Sequence, residues 1–121
     1  MPRLDEAAFA RFLDEDDGRS VLILNLMRFP SGTGPGRLAD SLFRMRAELA
    51  RFGAEVVYIG ETSSALWEDG GGPWDAVAIV RYPGRRAFAD MVESAEYCET
   101  TSSLRDASLL EVVLRPVRLI N

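Results

Sequence analysis

The order of elements legible in the sequence, one helix and then β-α-β-β-α-β, predicts an α+β fold of the ferredoxin-like, split βαβ kind. Three observations carry this. Apolar, strand-like runs occupy 20–29, 55–63, 74–82 and 109–117, and a helical pattern follows the first and the third. Breakers fall between them, with Gly53 after the first of these helices and Pro83-Gly84 after the third strand. The length of 121 residues and a composition 47% hydrophobic and 27% charged suit one globular core. A single domain over 1–121 is therefore expected, with 1–18 as an N-terminal helical extension.

The extension reads as a helix over 4–16, where Leu4, Ala8 and Phe12 recur at helical spacing beside Phe9 and Leu13. Asp5 and Glu6 favour its positive end. The acid run Asp14-Glu15-Asp16-Asp17 before Gly18 reads as a solvated helix end rather than a metal site. In the first strand, Leu22, Leu24 and Leu26 form one face, and Val21, Ile23, Asn25, Met27 and Phe29 the other. The leucine row is assigned to the helix-covered core. Asn25 is the polar exception, either a structural amide bridge or a group that orients a ligand. The loop Pro30 to Arg37 stands where phosphate-cradling loops stand, but it lacks GxGxxG spacing and Pro35 has no N–H, so it reads as a connector. Leu38, Leu42, Met45, Leu49 and Phe52 then make one helical stripe. After the third strand, Phe88, Met91, Val92 and Ala95 mark the inner face of a further helix, and Ser94 suits the N-cap of a short one.

Several chemistries are excluded. With no histidine in the chain, Ser-His-Asp hydrolysis, histidine-ligated haem and HExxH zinc sites are ruled out. There is no lysine either, all 14 basic residues being arginine, so Schiff-base chemistry is absent. Cys98 is the one cysteine and reads as a small buried hydrophobe. A net charge of −5 opposes general nucleic-acid binding. No apolar run approaches the roughly 18 residues of a membrane span, so neither nucleic acid nor membrane is an expected partner. The N-terminus is too acidic for a signal or transit peptide, and with a free thiol this points to the cytoplasm. Asp75, Glu61 and Glu111 lack metal-ligand spacing; neither metal nor cofactor is expected, and Asp75, Arg81, Glu111 and Arg115 are read as cross-strand pairs.

The first and third strands are apolar on both faces, since Val77 and Ile79 alternate with Ala76, Ala78 and Val80. One helical layer covers one face only. The second face calls for another copy of the chain, with the N-terminal helix as the less favoured cover. Asn25, opposite the leucine row, should then look into a cavity between sheet and partner.

The run Ala78-Ile79-Val80-Arg81-Tyr82-Pro83, then Ala87-Phe88, Ser94-Ala95-Glu96-Tyr97, Arg105 and Gly60 carry a resemblance. With these residues the chain resembles the dimeric α/β-barrel superfamily and, within it, the uncharacterised family called domain of unknown function 1330, over residues 20–118. Relatives often carry a histidine just before the arginine, where this chain has Thr100-Thr101-Ser102-Ser103. The N-terminal helix looks like an addition. The resemblance implies a homodimer, paired as a dimeric α/β barrel, with a cleft between sheet and helices. It implies no established reaction, because superfamily relatives include cofactor-independent monooxygenases, haem peroxidases, lactone isomerases and stress-responsive proteins.

Tyr97 and Arg105 lie eight residues apart, about two helical turns, and so share a helix face. Arg105 suits a bidentate grip on a carboxylate, with Tyr97 as a hydrogen-bond or proton donor. The other reading is that Ser94, Tyr97 and Arg105 fix the short helix to the sheet. Trp67 and Trp74 flank the glycine turn and suit a pocket mouth or a dimer seam. Asn25, Tyr97 and Arg105 are the candidate ligand-binding residues. Two functions stand: a homodimeric small-molecule-binding protein, in its catalytic form a cofactor-independent enzyme on a small carboxylate or carbonyl compound, and a non-catalytic dimerisation or regulatory module.

Overall fold

A computed structural model of the chain describes residues 5–28, 46–71, 73–94, 111–118 and 120. Helix α1 spans Glu6–Asp14, shorter at both ends than the apolar spacing predicts. Asp5 begins it as an N-cap, its carboxylate accepting from the Ala8 amide at 3.0 Å. The acid run builds the exit turn. Asp16 Oδ1 accepts from Gly18 N at 3.1 Å and Asp17 Oδ1 from Arg19 N at 2.9 Å, while Gly18 takes φ +77°. Asp5→Ala should cost about 1 kcal/mol and lower the thermal midpoint by a few degrees in a circular-dichroism melt.

Strands β1 (Val21–Arg28), β2 (Glu55–Glu61), β3 (Ala76–Tyr82) and β4 (Glu111–Val117) pair antiparallel in the order β2-β3-β1-β4. Residues 46–51 are helical and are called α2. They end at Gly53 with φ +74°, where a Cβ would stand 3.1 Å from Pro83 Cγ. A side chain there meets both a left-handed backbone and the ring of Pro83. Helix α3 is Arg85–Val92. β1 and β3, whose apolar residues line both faces, are the two central strands. Pro116 has no N–H to donate to a ladder, which suits its place on edge strand β4. On the other edge, the β2–β3 register shifts between Val56 and Tyr58, a bulge at Val57.

The packing reverses one expectation about the faces. Val21 and Ile23, not the leucines, lie beneath the helices, and Ile23 is 2% exposed. They join Val80 and Tyr82 of β3, Phe12 of α1, Leu49 of α2, and Phe88, Met91 and Val92 of α3 in one core. Phe88 meets Phe12 and Tyr82 edge-on at 5.4 and 5.1 Å between ring centroids. Thus α1 joins the helical layer already on this face and leaves the opposite one. That opposite face carries Leu22, Leu24 and Leu26 with Val77, Ile79 and Val113, all half-buried. The register explains why: Leu22 stands opposite Arg81 and Leu24 opposite Arg115. A row that shares its face with two arginines from neighbouring strands cannot go under a helical layer without burying them. Arg81 makes an ion pair with Glu55 of β2, a different partner from the carboxylates the sequence reading named.

Candidate functional site

The helix-covered side of the sheet has a filled end and a tapering end. Along β3 the side chains on this side run Tyr82, Val80, Ala78, Ala76, falling in size towards one end. Their partners across β1 are Val21, Ile23, Asn25 and Met27. At the large end, aromatic rings from α1 and α3 fill the space. At the small end, Met27, Ala76 and Ala78 form a separate apolar cluster with Val112 of β4 against it. Alanine methyls keep the floor low there, and Ala76 and Ala78 are themselves buried.

Asn25 sits at the boundary of the two clusters, between Ala78 of β3 and Leu114 of β4. It is half-buried, and its Nδ2 donates to Ile23 O at 3.1 Å along its own strand. That bond fixes the plane of the carboxamide. Among the described residues the amide oxygen receives no hydrogen bond, which leaves an acceptor and a second N–H in a largely apolar setting. The expected outlook of Asn25 onto a partner copy is overturned: it faces the helical layer. Its place is on the helix-covered side of the sheet, next to the Met27, Ala76 and Ala78 cluster.

The end of β1 nearest this floor is firmly tied. Asp75 N donates to Met27 O at 2.8 Å, and Thr62 N to Asp75 O at 3.0 Å. The Thr62 hydroxyl donates to Trp74 O. Arg28 Nε donates to Pro73 O at 2.7 Å, and its guanidinium lies 4.6 Å over the Trp74 ring. The two tryptophans therefore part company. Trp74 is held under Arg28, whereas Trp67 is 83% exposed, its Nε1 donating to Asp69 Oδ2 at 2.8 Å.

The Ser94 hydroxyl donates to Met91 O at 2.7 Å, closing the last turn of α3. Tyr97, Cys98, Arg105, the loop 30–37 and the short helix expected after Ser94 lie outside the described residues. Ala76 and Ala78 are the site residues that the sequence reading passed over. Their signal was the drop in side-chain size along every second residue of the third strand. Among the described residues no helix is long and apolar enough to cross a membrane.

No protein-family model matches the chain, and no curated protein matches it. Solved structures do. A protein of unknown function from Rhodopseudomonas palustris is 24% identical, with a TM-score of 0.80 over 99% of this chain and 96% of that one. SnoaB, a cofactor-independent oxygenase from Streptomyces nogalater, is 17% identical, with a TM-score of 0.60 over 84% of this chain and 94% of that one. A dimeric protein of unknown function and ferredoxin-like fold from Bacteroides fragilis is 8% identical, with a TM-score of 0.52 over 83% and 96%. At such identities the likeness is one of fold. The chain is an α+β protein of the ferredoxin-like fold, similar in structure to proteins that include a dimer and an oxygenase working without a cofactor.

Proposed function

We propose that the chain is a homodimeric small-molecule-binding protein of the dimeric α/β-barrel kind. Its ligand, a small carboxylate or carbonyl compound, would lie on the helix side of the sheet over Asn25, Ala76 and Ala78. The observation that carries the reading is the half-buried carboxamide of Asn25, oriented by one bond to Ile23 O and set beside two alanines. A carbonyl or carboxylic acid is matched to such a group, which offers one donor and one acceptor. In this reading Arg105 grips the ligand's anionic end and Tyr97 donates to it. The similarity of fold to a cofactor-independent oxygenase supports a catalytic form of the same reading.

The dimer belongs to the proposal too. The second sheet face is apolar at its centre, with Leu22, Leu24, Leu26, Val77 and Ile79, and charged at its margins, with Arg28, Arg81, Arg115 and Glu55. Apolar centre and charged rim are the anatomy of an interface. A structural neighbour described as dimeric supports it. The same face also favours a second reading, a dimerisation or regulatory module without catalysis.

A thermal-shift screen of small acids, carbonyl compounds and aromatics separates the two, since a ligand of the native state raises its midpoint. A hit is expected among small carboxylates or carbonyl compounds. Asn25→Ala should remove that shift while lowering the ligand-free midpoint only by the few degrees that one modest hydrogen bond is worth. Arg105→Gln should leave the fold intact and abolish binding of acidic compounds. A general loss of stability in that variant, with no selective loss of ligand, would show Arg105 to be structural. No shift across the whole library favours the module.

A further inference from the structure

The N-terminal helix does more than add to the core. Between α1, the start of α3 and the end of β4 runs an open groove of about 380 Å³, lined by Ala8, Arg11, Phe12, Glu15, Arg85, Pro116, Val117 and Arg118. Three arginines from three separate parts of the chain converge on it, against one carboxylate. This inverts the sign of the whole molecule, which carries 19 acidic and 14 basic residues. Among the described residues neither Arg11 nor Arg118 has an ion-pair partner, and Glu15, one turn after Arg11, does not pair with it. Arg85 is built in: its Nη1 donates to Phe12 O at 3.1 Å and its guanidinium lies 4.6 Å over the Phe12 ring. That leaves most of its N–H groups for another acceptor. Arg85 also opens α3, whose first turn has no acidic side chain and no side-chain cap, so the helix dipole adds to the positive potential around it.

We propose that this groove is a binding site for a small organic anion, a carboxylate with an apolar body, distinct from the floor at Asn25. Charge alone does not make the site, because a single exposed arginine–carboxylate contact contributes little in water. Three guanidinium groups around one groove raise the local concentration of an anion in a way that one does not. Phe12, Pro116 and Val117 give the apolar body a surface, and the volume lies in the range of small-ligand pockets. The polar groups point to the carboxylate end and the apolar wall excludes a bare, fully hydrated ion as the best occupant. The ligand would bridge the N-terminal helix to the last strand.

Benzoate and inorganic phosphate are the probes. The test is a titration of the full chain followed through the backbone amide resonances of Ala8, Arg85 and Val117. Benzoate is expected to shift these signals saturably at millimolar concentrations. The double change Arg11→Gln with Arg118→Gln, both residues exposed and unneeded for the core, should weaken that binding about tenfold or more. Arg105→Gln should leave it unchanged, which separates this site from the one proposed over Asn25. The absence of saturable shifts, or shifts that survive the double change, would overturn the proposal. So would phosphate binding as tightly as benzoate, since the apolar wall would then have no part in selection.

Discussion

Ile23→Asp is expected to give a chain that does not fold. Ile23 is 2% exposed and packs beneath the helical layer with Val21, Val80 and Phe88. The described residues that share the core with it are apolar side chains, which offer an aspartate no counter-charge. Burying an unpaired carboxylate, with the loss of the isoleucine's own packing, costs several kcal/mol. Domains of this size are stable by only about 5–15 kcal/mol, so the variant should lack a cooperative melt and its far-ultraviolet spectrum should lose its native shape. A folded Ile23→Asp protein would remove the core described for this face.

Leu24→Asp, one residue on, should do something quite different. Leu24 is half-buried on the other face, between Ile79 and Arg115. The new carboxylate remains near solvent and near an arginine in the isolated chain, so the fold should survive with a small change of midpoint. Between two copies packed sheet to sheet, the same group would be desolvated at the centre of the interface. Sedimentation at micromolar concentration is expected to give about twice the chain mass of 13.4 kDa for the parent protein and the single mass for Leu24→Asp. A parent chain that sediments as a folded monomer at every concentration would refute the proposed pairing. The two neighbouring substitutions thus report on two faces of one strand.

The contrast also shows what the sequence could and could not tell. The element order was legible, because breakers such as Gly53 and Pro83-Gly84 act locally and set the apolar runs of the strands apart. That β1 and β3 are apolar on both faces was legible as well. Which side belongs to the helices was not, because within β1 alone Val21-Ile23 and Leu22-Leu24-Leu26 are equally apolar. The answer lay across the strands: Arg81 and Arg115 stand opposite Leu22 and Leu24, and only the register brings them together. Pro116 was a usable sign that β4 is an edge. The taper from Tyr82 to Ala76 was a usable sign of where the floor drops, but its meaning depends on knowing that those residues look towards the helices. Asn25 stands out in the sequence by its chemistry, but its outlook depends on the same cross-strand register. Arg85 illustrates the remaining difficulty. Its partners, the ring and carbonyl of Phe12, lie 73 residues away in sequence, and no local pattern announces them.

The bulge in β2 bears on how the protein behaves when crowded. β2 closes one side of the sheet and exposes Val57, Tyr58 and Ile59, the kind of β-branched and aromatic run on which a stray strand from another molecule would add. Such addition needs evenly spaced free amides and carbonyls along several consecutive residues. The extra residue at Val57 breaks that spacing in mid-strand and turns the chain on either side of it through a sharper twist. A foreign strand could lie in register with only half of β2 at a time. The irregularity thus works as a guard against runaway fibre growth, at an edge whose side chains would otherwise invite it.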